Sequence, residues 1–381
     1  MSFDKAAFPS HSGSSAVLVT NAPPAVLLDP PRREVAATRP YGLGLLQLLL
    51  AADRLIRLHF LVLTAQLVTF GIAAATVVGA ATPAWPELLG IFAVGLAFHV
   101  FAYVFNDVID LPVDRTQPLR AGDPLVRGDI SVQQALLLSL MMIPLAALLS
   151  AVMGADWTTQ LILIGSFAAM AIYDLWGKRC FCPPLTDLAQ GIGWGGLALW
   201  AAMLLSHRLT PAAWLAFGFG AGYIFLINGV HGGLRDLAND LRTGSRTTAI
   251  FFGARPTAKG ASMTLGLRSF AIFAQLLLVG LGLAALAILP IPTWLAGLVV
   301  VVEAACFVFL LRVLEPERKS WQHDFRIHLI LLLIPPLLVF LPQLEASLQI
   351  TLLLACFPPL FLLETAREIA AKVLGRLRQG G

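Results

Sequence analysis

Charge is what this sequence has least of. Only 13% of its 381 residues are Asp, Glu, Lys or Arg, against roughly a quarter in a soluble domain. Hydrophobic residues make up 58% of the chain, and the mean hydropathy is +0.81. That shortage excludes a fold bathed in water, because too few polar side chains exist to cover one. Cysteine is scarce too, with Cys180, Cys182, Cys306 and Cys356 alone. No histidine or further cysteine stands near Cys180-Phe181-Cys182 at zinc spacing, so all four are read as structural thiols. A Gly-rich strand-turn-helix able to cradle a nucleotide is missing, and so is a basic tract suited to nucleic acid. Residues 1–40 lack the charged start and apolar block of a signal peptide. They are rich in Ser, Pro and Ala and read as a mobile tail.

What the chain does have is long, continuous apolar runs. A bilayer span needs about 20 apolar residues, and its backbone polar groups must find partners within the span, so spans are helices or closed barrels. Runs that are continuous rather than alternating predict helices. Spans are expected at 59–80, 86–108, 131–153, 157–177, 186–206, 211–234, 265–289, 292–314, 326–343 and 347–366, with Leu43 to Arg57 as an interfacial helix before the first. The last two segments contain Pro335-Pro336 and Pro358-Pro359 and are expected to be kinked or partial. The fold class is therefore all-α, a polytopic transmembrane bundle of nine to ten spans, with residues 41–381 as a single unit. With the N-terminus in the cytoplasm, every Lys and Arg except Arg208 falls on the cytoplasmic side, as the positive-inside rule requires. An even count keeps the basic C-terminus there, which favours ten spans over nine.

Two acidic clusters break the apolar pattern. At the end of the second span, Tyr103, Asn106, Asp107, Asp110 and Asp114 share one helical face. Pro112 is expected to break the last turn and leave Asp114 on a loop. Carboxylates at a span end are costly, and a helix C-terminus disfavours negative charge. A cation offsets both penalties, and hard oxygen donors without His or Cys point to Mg²⁺. The plain alternative for this cluster alone is a solvated acidic loop. At the end of the sixth span, Asn228, Gly232, Asp236 and Asp240 recur every four residues, followed by Arg242 and Arg246. The glycines leave room for a ligand or for close helix packing. The two clusters occupy matching places four spans apart, both cytoplasmic, and accident does not readily produce such a pair.

Carboxylates from two spans facing one chamber can hold Mg²⁺ ions that bridge phosphate oxygens and take up charge on a leaving group. Asp107, Asp110, Asp236 and Asp240 are the residues on which catalysis is expected to depend, with Asn106 and Asp114 as further metal ligands. Arg115, Arg120, Arg127, Lys178, Arg242 and Arg246 are candidates to hold the remaining phosphate oxygens. An anion bound at the rim of a membrane chamber, with no nucleotide loop, fits an isoprenoid diphosphate whose tail lies between the helices. Loss of pyrophosphate leaves an allylic cation, which aromatic faces stabilise. Phe101, Tyr103, Phe105, Tyr173, Trp176, Trp194 and Tyr223 lie on the spans expected to line the chamber. Ordinary packing is the alternative for each. His99 and Asn228 are placed to contact an acceptor or remove a proton, with packing again the alternative.

At this point the residues resemble the UbiA superfamily of intramembrane prenyltransferases. Asn106, Asp107, Asp110 and Asp114 match its first signature, N-D-x-x-D-x-x-x-D, in full. Asp236, Asp240 and Gly244 match the second, D-x-x-x-D with a following Gly. Arg235-Asp236 and the Gly-x-Arg-Thr of 244–247 are similar to the menaquinone-type branch. Tyr173, Lys178-Arg179, Pro183-Pro184 and Gly191 resemble a third element after the fourth span. The resemblance covers about residues 55–300. It implies an all-helical barrel of nine spans around a central cavity, with Mg²⁺-diphosphate at the cytoplasmic end. It also implies that the aspartates are metal ligands and that Lys178 and loop arginines hold pyrophosphate. One departure is Asp123-Pro124-Leu125 where many members have Arg-Pro-Leu; Arg120 or Arg127 is expected to substitute. The tenth apolar segment is a second departure.

Three functions are compatible with such a site. Transfer of a prenyl group to a small aromatic or lipid-phase acceptor is favoured. A membrane terpene cyclase acting on the diphosphate alone shares every ionisation feature. A cation transporter is disfavoured, because transport sites lie near the bilayer midplane and both clusters lie at the rim.

Overall fold

The structure, a computed structural model, describes residues 53–117, 120–257, 260–315 and 320–350. The expected N-terminal tail, most of the interfacial helix, nearly all of the tenth apolar segment and Cys356 lie outside these residues. Among the described residues, eleven α-helices of seven or more residues carry the fold. They are α1 (Leu61–Thr76), α2 (Trp85–Asp114), α3 (Val132–Val152), α4 (Trp157–Trp176), α5 (Pro183–Ser206), α6 (Pro211–Leu226), α7 (Leu237–Thr243), α8 (Leu265–Ile288), α9 (Thr293–Val313), α10 (Trp321–Leu331) and α11 (Ile334–Phe340). A small antiparallel hairpin pairs β1 (Arg255–Thr257) with β2 (Gly260–Ser262).

Local chemistry sets several helix starts. Asp156, Thr210 and Thr264 accept the backbone N–H three residues on, capping α4, α6 and α8. Ser131 and Gln134 form a reciprocal capping box at α3. Pro183 and Pro211 occupy first turns, where a missing N–H costs nothing.

Among the described residues, eight helical segments are long and apolar enough to cross a membrane, counting α6 with its continuation to Arg235 and α10 with α11 to Gln343 as one each, and α1 is a shorter apolar helix. The chain is an integral, multi-pass membrane protein with an all-helical bundle. Its outer faces are apolar: Leu137 and Leu148 on α3, Leu283 on α8 and Val301 on α9 are all exposed. In lipid such faces need no cover. The interior centres on α5, which packs against α1, α4 and α6. Close approach there is bought with small residues. A Cβ on Gly195 would lie 2.4 Å from the Phe217 carbonyl, and one on Gly71 2.3 Å from the Ala198 carbonyl.

Two expectations for the helix ends fail. Helix α2 does not stop at Pro112; it runs on to Asp114. Proline removes one N–H, but the Arg115 N–H still reaches the Leu111 carbonyl at 3.1 Å and the Thr116 N–H reaches Val113 at 3.0 Å, so the turn closes. The second cluster, in contrast, is not one regular helix. Ile227–Gly232 form a π-turn, and Asp236 (φ −97°, ψ 1°) interrupts the helix before α7. The four-residue ladder from Asn228 to Asp240 is therefore offset, because a π-turn bonds i to i+5 rather than i to i+4. Of the glycines here, Gly229 and Gly233 serve close packing: a Cβ would meet Phe270 at 2.7 Å and Ala249 at 2.9 Å respectively.

Candidate active site

The first aspartate cluster is held on the last turns of α2 and is met by basic groups from three other segments. Asp107, 6% exposed, forms an ion pair with Arg57 and has Arg120 at 3.9 Å. Arg120 also lies 3.8 Å from Asp114 and 2.9 Å from Asp123. Lys178 Nζ, from the loop after α4, donates to Asp110 Oδ2 at 2.7 Å. Arg57 reaches Asp107 from a left-handed backbone conformation (φ 55°), with its guanidinium over the Tyr103 ring at 5.2 Å. Sequence reasoning counted Arg57 only as a topology charge; fifty residues separate it from Asp107, and no spacing signals the pair.

The second cluster meets the first. Arg235 binds Asp236 through two nitrogens, Nε at 3.1 Å and Nη2 at 2.6 Å. Gln117, three residues beyond α2, donates to the same carboxylate at 3.3 Å. Arg242 Nη2 donates to the Thr116 carbonyl at 2.8 Å and to Asn239 Oδ1 at 2.6 Å, tying α7 to the end of α2. The Arg246 N–H donates to the Lys178 carbonyl at 2.9 Å. Asp110, Lys178, Asp236 and Asp240 thus belong to one site.

Its electrostatics follow. Burial works against the Lys178 charge, but Asp110 beside it, with Asp240 and Asp114, holds its pKa above the ordinary lysine range. Burial likewise opposes the Arg120 charge, and Asp114, Asp107 and Asp123 outweigh it, keeping the pKa raised. For Asp236, burial is outweighed by Arg235, Lys178 and Arg120, and the carboxyl lies below its usual range. Asp240 differs: burial pushes it up to about 6, Lys178 only partly opposes this, and Asp236 and Asp110 add to the rise. A metal-binding role needs the ionised form, so activity is expected to fall as pH drops through about 6. Raising Mg²⁺ should move that limb to lower pH, because the ion competes with the proton. A pH–rate profile at two Mg²⁺ concentrations checks this; a limb insensitive to Mg²⁺ would count against Asp240 as a ligand.

Beneath the charged rim lies a neutral and acidic layer that sequence reasoning saw only in part. Asn228 Nδ2 donates to the Tyr173 hydroxyl at 2.9 Å and to Asp187 Oδ1 at 2.6 Å, and Thr248 donates to Asp187 Oδ2. Asn106 Nδ2 donates to Asp174 Oδ1 at 2.9 Å. Asp174 and Asp187 are both buried and had no assigned role. A buried acid inside an apolar run is a readable signal; what it contacts is not. Tyr103 stacks on Phe60 at 5.7 Å and meets the Trp194 ring at 5.9 Å.

Other expected contacts fall elsewhere. Arg127 pairs with Asp129 instead, and Arg115 and Arg246 are exposed. His99 is committed to structure: Nδ1 bonds the Thr64 hydroxyl at 2.8 Å and Nε2 the Ile56 carbonyl at 2.9 Å, which leaves no nitrogen for an acceptor. Trp176 is 55% exposed on the outer surface. Phe101 is core, edge-on to Phe167 at 5.1 Å. Cys180, Cys182 and Cys306 are free thiols.

Among the described residues, no three His, Cys, Asp or Glu side chains are gathered closely enough to hold a metal ion together; Asp107, Asp110, Asp114 and Asp236 are salt-bridged instead. The donor chemistry nevertheless fits Mg²⁺. The acids and amides around the site offer only oxygen, and Asp107, Asp114 and Asp240 are buried carboxylates close to others of like charge. Like charges at close quarters favour a cation among them.

Comparison with known proteins agrees with this architecture. The profile of the UbiA prenyltransferase family matches residues 66–330. The chain is 28% identical over 172 residues to the 4-hydroxybenzoate octaprenyltransferase of Pseudoalteromonas atlantica, covering 45% of this chain and 58% of that protein. It is 28% identical over 228 residues to the enzyme of the same name from Aliivibrio salmonicida, covering 60% and 73%. The chain spans about three fifths of the length of the first curated relatives it matches. The apo structure of a UbiA homolog from Aeropyrum pernix K1 superposes with a TM-score of 0.55 at 18% identity, covering 72% of this chain and 94% of that one. A digeranylgeranylglyceryl phosphate synthase gives 0.54 at 17% identity, covering 76% and 98%.

Proposed function

The chain belongs to the UbiA prenyltransferase family, and on that premise we propose that it is a Mg²⁺-dependent intramembrane prenyltransferase. It ionises an isoprenoid diphosphate and transfers the prenyl group to a small aromatic or lipid-phase acceptor. Residues 41–381 act as one catalytic unit, set in the cell inner membrane with the site at the cytoplasmic face, as the distribution of Lys and Arg favours.

The observation that carries the reading is the meeting of two acidic helix ends around one lysine. Lys178 is bonded to Asp110 at 2.7 Å and is held charged by Asp240 as well. Asn106, Asp107, Asp110, Asp114, Asp236 and Asp240 would hold Mg²⁺, whose chemistry when bound would be to neutralise charge on the diphosphate. Lys178 and Arg120 then turn their N–H groups from aspartate to phosphate oxygens. The bond between the allylic carbon and the diphosphate oxygen breaks, and its electron pair leaves with pyrophosphate. Aromatic rings lining the site stabilise the allylic cation, the acceptor forms the new bond to carbon, and it loses a proton. The name of the curated relatives supports an aromatic acceptor.

The test is an assay on purified protein with Mg²⁺ and prenyl diphosphates of increasing chain length, with and without 4-hydroxybenzoate. Pyrophosphate release should require the acceptor and yield a prenylated aromatic. A cyclic hydrocarbon or terpene alcohol formed without acceptor would overturn transfer in favour of cyclisation.

A further inference from the structure

We propose that Asp174 is a positioning residue that decides which atom of Asn106 is offered to the cation. The inference rests on the metal–diphosphate reading of the site and goes beyond it, since neither the aspartate signatures nor the salt bridges give Asp174 a part.

Asp174 lies on α4, at the level of Asn106 on α2, and is 6% exposed. Its Oδ1 accepts from Asn106 Nδ2 at 2.9 Å, and the same nitrogen lies 3.5 Å from Asp110 Oδ2. Both N–H bonds of the amide are therefore directed at carboxylates. Among the described residues the Asn106 carbonyl oxygen has no donor, and in a planar amide it points to the opposite side from the nitrogen. Only that oxygen can ligate a hard cation, because the amide nitrogen offers two donors and no acceptor. A half-turn of the Asn106 amide would press its oxygen against the Asp174 carboxylate. Asp174 thereby forbids the orientation that is useless for metal binding.

The second Asp174 oxygen strengthens the case. Oδ2 is buried and, among the described residues, has no hydrogen-bond partner. A buried acceptor without a partner is costly, and packing alone gives no reason to keep it. An acceptor that holds a ligand amide from behind, and so fixes which atom faces the metal, is the arrangement that outer-shell partners provide around metal ligands.

Direct Mn²⁺ binding tests this without turnover. Purified protein with inorganic pyrophosphate is titrated with Mn²⁺, and the free ion is followed by its paramagnetic resonance signal. Asp174→Ala is expected to weaken binding about tenfold, within the range for outer-shell losses, with Asp174→Asn intermediate because it keeps an acceptor but tolerates the flipped amide. Asn106→Ala should weaken binding by a similar factor, and the double variant Asn106→Ala/Asp174→Ala should be no weaker than Asn106→Ala alone. Thermal melts confirm that each variant is folded; should Asp174→Ala not fold, the same cycle is run with Asp174→Asn. Wild-type affinity in the Asp174 variants, or losses that multiply in the double variant, would overturn the role. If the wild-type protein takes up no Mn²⁺, or Asp236→Asn takes it up unchanged, the metal site itself falls and Asp174's role with it.

Discussion

Replacing Asp236 with Ala is expected to lower prenyl-diphosphate turnover by roughly 10³-fold, since the charge stabilisation a bound metal supplies is worth several kcal/mol and each 1.36 kcal/mol is tenfold in rate. The size follows from where this residue sits. Asp236 occupies the break between the π-turn and α7, so its carboxylate is carried by an interrupted backbone rather than by a continuing helix face. Arg235, Lys178 and Arg120 keep its pKa depressed despite burial, so it is anionic across the physiological range and needs no proton removed before it can meet a cation. Truncation also frees Arg235, whose guanidinium now binds Asp236 through two nitrogens, to compete for the diphosphate in an unproductive place. Asp107→Ala should be comparably severe, because it leaves Arg57 without the ion pair it makes from a left-handed backbone. Initial rates of pyrophosphate release, on variants whose helicity and melting match the parent, measure the effect. Undiminished turnover in either variant would refute the assignment of these two acids.

A comparably large effect, on folding rather than on chemistry, is expected at Gly195. This residue lies in the middle of α5 and faces α6 at a distance no other side chain permits. An added Cβ would stand 2.4 Å from the Phe217 carbonyl oxygen and 2.9 Å from the Ala221 nitrogen. Both are backbone atoms of a packed helix, so neither can swing aside as a flexible side chain would. Gly195→Leu must therefore move α5 off α6, and α5 also packs on α1 and α4. Overpacking a core costs about 1–3 kcal/mol where side chains can adjust, and here they cannot, so a loss of about 3 kcal/mol or more is expected. Gly280→Ala on α8 is the control: a Cβ there meets nothing within 4 Å. It should be neutral or mildly stabilising, as Ala is favoured over Gly in a helix by up to about 1 kcal/mol. Thermal unfolding in detergent distinguishes the two. A Gly195→Leu protein melting with the parent would mean that the helix contact is looser than described.

Reading helix faces from sequence succeeded where the relevant physics is local. The acids of α2 were correctly placed on one face because a 3.6-residue period needs no knowledge of the neighbours. The same rule misjudged the end of α6, where the period itself changes at the π-turn. Pro112 was over-read for a related reason: the rule that proline ends helices holds on average, and here the flanking Leu111 and Val113 carbonyls still find donors. Asp174 and Asp187 could have been singled out as acids in apolar runs, yet their partners Asn106, Asn228 and Thr248 come from distant segments.

The amino-acid sequence alone determined that this is a membrane-spanning, all-helical protein and that two oxygen-rich helix ends lie on one side of it. Those are properties of composition and of short-range period, set by the cost of placing charge and unpaired backbone in lipid. Only the tertiary structure decided which cation answers which acid: Arg57 and Arg120 at Asp107, Lys178 at Asp110, Arg235 at Asp236, and Arg127 turned to Asp129. Long basic side chains can reach any of several acids within a few ångströms. The choice among them is made by how the helices pack, which a pattern along one chain does not contain.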